Sequence, residues 1–131
     1  MPDWRYIGPH RYFAEDNFLH WEPHGQVLPP HAEALVRVVD AMGARKRHVY
    51  CLFDQRDLLP LLPESRRRYV EYAREARPHV TIAFVTTSFL VRTVNRLGIT
   101  GARLVAGYDL HHATFNTLEE AVAYLLPLRA A

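Results

Sequence analysis

Cysteine is almost absent from this chain. Cys51 stands alone, which excludes an intrachain disulfide. It sits inside the apolar run His48-Val49-Tyr50-Cys51-Leu52-Phe53, where a thiol behaves as a small hydrophobe rather than a nucleophile. Lysine is equally scarce: of 16 basic residues only Lys46 is a lysine. We read the arginine bias as genome composition rather than a need for guanidinium chemistry. No stretch reaches the ~18 consecutive apolar residues of a membrane span, and Met1-Pro2-Asp3-Trp4-Arg5-Tyr6 has no apolar signal core, so the expected compartment is the cytoplasm. Only six glycines occur and none forms a phosphate-cradling loop. The net charge of +2 is too small to imply a nucleic-acid partner.

What is present is ordinary globular material: 131 residues, 49% apolar and 23% charged, enough for one domain with one core. Residues 1–9 read as an irregular arm ending at Gly8-Pro9, and residues 10–131 as a single domain. Residues 10–15 and 18–23 are β-rich, and Asp16-Asn17 between them suits a tight hairpin turn. A helix follows over 31–43, with Leu35, Val36, Val39 and Met42 inward and Gly43 as its C-cap. Val49 to Phe53 is a short continuous apolar run of the kind covered on both faces in a parallel sheet. A polar helix over 64–77 carries Tyr69, Ala73 and Ala76 inward and stops before Pro78. Residues 80–85 form the next strand. Thr86-Thr87-Ser88 caps a helix that buries Leu90, Val91, Val94 and Leu97 and ends at Gly98. Arg103 to Tyr108 is expected as the last strand, with a loop over 109–116.

The closing helix announces itself most clearly. In Thr117-Leu118-Glu119-Glu120, Thr117 can accept from the backbone N–H of Glu120 while Glu120 reaches back to the N–H of Thr117. Leu118, Ala121, Val122, Leu125 and Leu126 then share one face. Strands alternating with helices at this spacing give an α/β fold: a mostly parallel sheet with right-handed crossovers, four βα units and an antiparallel leading hairpin strand at one edge.

With these residues in place the chain resembles the STAS-like group, the sulfate-transporter cytoplasmic domains and anti-sigma-factor antagonists, and within it the small bacterial SpoIIAA-like proteins. The similarity runs over roughly residues 10–127. It is carried by the opening hairpin, Leu52-Phe53-Asp54, Ile82-Ala83-Phe84-Val85 followed by Ser88 and Arg92, and Phe115-Asn116-Thr117-Leu118-Glu119-Glu120-Ala121. The resemblance implies a four-unit βα superhelix behind a leading strand and a non-enzymatic regulatory or binding role. Anti-sigma antagonists carry a phosphorylatable serine in an Asp-Ser-(Ser/Thr)-Gly-Leu segment. This chain reads Asp54-Gln55-Arg56-Asp57-Leu58-Leu59, so only Asp54 carries over and the phosphoserine switch does not.

Open α/β sheets bind ligands beyond the carboxyl ends of their strands. That edge is expected to gather Asp54, Gln55, Arg56 and Asp57, then Thr86, Thr87 and Ser88, then Tyr108, Asp109, His111 and His112. Thr86, Thr87 and Ser88 at a helix N-terminus, with Arg92 one turn on and Asp54 nearby, form the candidate ligand site, suited to a small anion. No catalytic set, metal site or cofactor is assigned. The alternative is a small hydrolase or phosphotransfer domain using Asp54 and Asp57 with Thr86 or Ser88. Arg66-Arg67-Arg68, Arg74 and Arg77 interleave with Glu64, Glu71 and Glu75 and read as a solvated, ion-paired helix rather than a nucleic-acid surface. The eight histidines lack metal-ligand spacing, and His79 opens a strand. Trp4, Tyr6, Tyr12 and Trp21 cluster in the arm and hairpin and are the candidate interface for a protein partner or self-association. The leading expectation is a module that associates with protein or binds a small anionic or apolar ligand.

Overall fold

The structure, a computed structural model, describes residues 2–107 and 110–130. Six strands form one sheet in sequential order: β1 (Arg5–Ile7), β2 (His10–Glu15), β3 (Phe18–Glu22), β4 (Val49–Asp54), β5 (Val80–Val85) and β6 (His111–Phe115). β1, β2 and β3 pair antiparallel, and β3 to β6 pair parallel. The helices are α1 (Pro29–Arg45), α2 (Pro63–Ala76), α3 (Phe89–Ala106) and α4 (Leu118–Ala130), so β3 to α4 make the four expected βα units. No helix among the described residues is long and apolar enough to cross a membrane.

Strand register sorts the side chains into two faces. Leu19, Trp21, Val49, Cys51, Phe53, Val80, Ile82 and Phe84 point to the face covered by α1, α2 and α3. Phe18, Tyr50, Leu52, Ala83, Val85 and Phe115 point to the other, where Ala121 and Leu125 of α4 close a smaller core. Among the described residues α4 reaches that second face at Phe18, over whose ring Arg129 lies, and no helix packs on it over β1 and β2. Trp4 fills part of the gap, edge-on to Phe13 and His20, with the Arg11 guanidinium 3.8 Å from its ring centre.

Several boundaries differ from the sequence reading, each for a physical reason. The arm is not irregular: Arg5–Ile7 adds the edge strand, so β2 is one strand in from the edge it was expected to occupy. Gly8 at φ +59 is the device. A glycine with positive φ opens the two-residue loop, and Pro9 fixes a negative φ behind it, which is a type II′ hairpin. Gly43 does not cap α1, which runs on to Arg45 with Lys46 as its cap. Its start has Pro29 and Pro30 in the first turn, and His31 at the third helical position accepts the Leu28 N–H as a capping-box glutamate would.

The largest difference lies in α3. Gly98 does not end it. The helix continues to Ala106 and stops at Gly107, φ +63, so residues 103–106 are helical rather than strand. The expectation at Tyr108 and Asp109 lies outside the described residues. The strand is His111–Phe115, where a loop was expected. Gly98 and Gly101 instead face α2: a Cβ on each would lie 3.7 Å from Arg66 Cγ and 3.9 Å from Val70 Cγ2. The buried line of α3 is Val91, Ile99 and Ala102, while Leu90 and Leu97, expected inside, are exposed. Ala76 of α2 and Val122 and Leu126 of α4 are exposed as well.

Candidate functional site

Asp54 ends β4 on the α4-side face, away from the helix-covered core. Its two oxygens accept from Arg56 Nε and Nη2, both at 2.8 Å, and Oδ1 also accepts the Arg56 N–H. Burial pushes the Asp54 carboxyl up, but the Arg56 hydrogen bonds and charge outweigh it and hold it below the usual range. Beside it on the same face are His20 and Glu22. One ring nitrogen of His20 and one oxygen each of Glu22 and Asp54 lie within 4.8 Å of one another. His20 Nε2 is buried and has no hydrogen-bond partner. Burial pushes the His20 imidazole down, against the opposing pull of Asp54 and Glu22. This triad is the one donor set among the described residues that could hold a metal. Its carboxylates are already engaged, however. Arg11 Nη2 donates to both oxygens of Glu22 at 3.2 Å, as Arg56 does to Asp54. Two guanidiniums balance the two carboxylates, and a divalent cation would add two further positive charges beside them. The sequence reading missed the triad because His20 and Glu22 meet Asp54 only through the β3–β4 pairing.

Asp57 is elsewhere. It is exposed and bonds His24 Nδ1 at 2.8 Å, and His24 Nε2 lies 3.3 Å from Glu22. Thr86 and Ser88 form a local cap. Thr86 Oγ1 accepts the Ser88 N–H at 3.1 Å, and Ser88 Oγ accepts the Val91 N–H at 3.2 Å. Arg92 donates to the Thr86 carbonyl at 3.0 and 3.3 Å and to Asn116 Oδ1 at 2.6 Å, stapling the end of β5 to the loop before α4. Thr87 is exposed. The structure therefore joins Thr86, Ser88 and Arg92 in one scaffold and leaves Asp54 in another, with the hydroxyls spent on backbone N–H groups. His111 and His112 lie within β6 on opposite faces rather than at its carboxyl end.

The aromatic residues of the arm and hairpin divide between the two faces of the sheet, Tyr12 and Trp21 on one and Trp4 and Tyr6 on the other. Trp21 is in the main core and Tyr12 packs against it. Trp4 lies on the opposite face, and only Tyr6, 67% exposed, is open to solvent.

A site that no motif announced lies between the sheet and α1 to α3. A cavity of about 160 Å³ is walled by Trp21, Cys51, Phe53, Ile82 and Phe84 from the strands and by Val36, Tyr69, Ala73, Val94 and Ala102 from the helices. Its polar lining is sparse. Gln55 and Asn95 exchange two amide hydrogen bonds, 2.7 and 3.3 Å, and so satisfy each other. Arg66 and Tyr69 also contribute. Cys51, inside this wall, has its thiol pushed up to about 12 by burial, which makes it inert surface.

No family model matches the sequence, and no curated protein matches it either. Solved structures do match its shape. A protein of the DUF3478 family with a SpoIIAA-like fold, from Shewanella loihica PV-4, superposes with a TM-score of 0.61 at 12% identity, covering 95% of this chain and 92% of that one. An anti-sigma factor antagonist from Mycobacterium paratuberculosis gives a TM-score of 0.55 at 14% identity, covering 88% and 91%. This protein has the STAS-type, SpoIIAA-like fold.

Proposed function

We propose that this protein is a non-enzymatic, cytoplasmic binding module whose working part is the apolar cavity between the sheet and helices α1 to α3, and that it takes a small apolar ligand there. One observation carries the reading. Protein interiors are packed with few voids larger than a water molecule, yet here an apolar pocket of about 160 Å³, partly open to solvent, lies between the sheet and helices α1 to α3. An apolar cavity of about 150 Å³ stays dry and accepts benzene. The strand-end groups favour this over an anion site or a hydrolase: Asp54 is held by Arg56, Asp57 by His24, and Thr86 and Ser88 serve as caps.

Thermal unfolding with and without benzene tests the reading. Benzene raises the melting temperature of the wild type and leaves Val94→Phe, which puts a ring into the cavity wall, unmoved. An unshifted wild type, or an equal shift in both, removes the proposal.

A second reading, protein association, rests on the outer face of α3, where Phe89, Leu90, Leu97 and Leu104 are exposed. The Mycobacterium neighbour is named for opposing another protein. Leu97→Glu should abolish association measured by light scattering or by capture of a partner. Unchanged association would place the contact elsewhere.

A further inference from the structure

We infer that the cavity ligand is a carboxylate amphiphile, a short apolar tail bearing one anionic head, and that Arg66 and Tyr69 of α2 receive the head. This rests on the cavity reading and deepens it. Arg66 and Tyr69 lie three residues apart on α2, on one side of the helix, and both line the cavity. The Arg66 stem lies against α3 at Gly98, three residues beyond Asn95, and Arg66, Gln55 and Asn95 line the same cavity.

What sets these two side chains apart is that both line the cavity while neither polar end is engaged by another described residue. Arg68, on the same helix, bonds Glu33, and Arg56 and Arg92 each make two or more side-chain contacts. The Arg66 guanidinium and the Tyr69 hydroxyl take no hydrogen-bond or ion-pair partner among the described residues. Burial pushes the Tyr69 phenol up, so at neutral pH it stays a neutral donor. Gln55 and Asn95 are closed on each other and offer a head group little. What remains is an apolar chamber with a half-buried cation and a neutral O–H donor at one side. A planar carboxylate accepts two hydrogen bonds from a guanidinium fork and leaves lone pairs for a third donor. A cavity near benzene size sets the tail at a ring or a chain of about six carbons.

Calorimetry at pH 7.5 with hexanoate and 1-hexanol, which share a tail and differ in the head, tests this. Wild-type protein should bind hexanoate about tenfold more tightly than 1-hexanol. Arg66→Gln should erase that preference while keeping the 1-hexanol affinity, and Tyr69→Phe should weaken hexanoate severalfold. Added salt should narrow the wild-type preference without touching 1-hexanol. Equal binding of the two probes to the wild type, or hexanoate binding to Arg66→Gln at the wild-type level, overturns the amphiphile inference and leaves the apolar cavity standing. Failure of both probes to bind overturns the cavity reading with it.

Discussion

Acidification should unlock His10. This side chain is wholly buried on the α1 side of β2, and its hydrogen bonds fix its tautomer. Nδ1 accepts the His24 N–H at 2.9 Å, so the proton is on Nε2, which faces His31 Nδ1 at 3.1 Å. His31 Nδ1 also lies 3.2 Å from the Leu28 N–H, so it too is an acceptor. A second proton on His10 would remove the acceptor that His24 uses. Burial lowers the His10 pKa from 6.5 to about 4, helped by the nearness of His31 and His24 and opposed by a backbone hydrogen bond with Gln26. The unfolded chain therefore binds more protons than the folded one between pH 6.5 and 4, and stability falls as pH falls through that window. At pH 5 the His10 share of the loss is about 2 kcal/mol, and its limit below pH 4 is about 3 kcal/mol. His20 and His48 are shifted the same way, so the share must be isolated by substitution. Urea unfolding of wild type and His10→Asn at pH 7.5 and 5.0 does this. Whatever His10→Asn costs at pH 7.5, its loss between the two pH values should be smaller than the wild type's by about 2 kcal/mol. Parallel losses in the two proteins would refute the linkage.

Three further outcomes are expected. Gly8→Ala should destabilise by at least ~1 kcal/mol, because φ +59 disfavours a side chain and the new Cβ would lie 2.5 Å from His31 Nε2; an unchanged urea midpoint would contradict it. Cys51 should react with iodoacetamide only at the rate of global unfolding, since burial has pushed its thiol up to about 12; fast labelling under native conditions would show the core to open locally. Mn²⁺ should leave the wild-type melting temperature unchanged but stabilise Arg11→Gln/Arg56→Gln, by about 2.7 kcal/mol at 100 times its dissociation constant. Equal stabilisation of both would mean the arginines do not occupy the His20, Glu22 and Asp54 carboxylates.

Elements with a strong local signal were legible. Val80–Val85 is an apolar, β-branched run that admits no other assignment, and Thr117 does accept the Glu120 N–H at 3.2 Å. Even there the reciprocal half differs: the Glu120 carboxylate accepts from the Thr117 hydroxyl at 3.0 Å. Gly98 misled because glycine costs a helix interior ~1 kcal/mol relative to alanine, and only the approach of α2 shows why it is there. The site residues were less legible still. The hydroxyls of Thr86 and Ser88 look like ligands in sequence and are helix caps in space.

The sequence by itself determined that four βα units follow a hairpin, because periodicity, turn chemistry and caps act over a few residues; it did not show the edge strand β1 or the place of β6. It determined too that Cys51 would be buried and that the anti-sigma phosphoserine has no counterpart here. Tertiary structure alone decided which face each strand residue serves, since a register is a relation between strands. It brought His20 and Glu22 beside Asp54 and closed Gln55 upon Asn95 across 40 residues of chain. It also left the cavity under α2 and α3. A void is the space that side chains from several elements fail to fill, so no single segment of sequence encodes it.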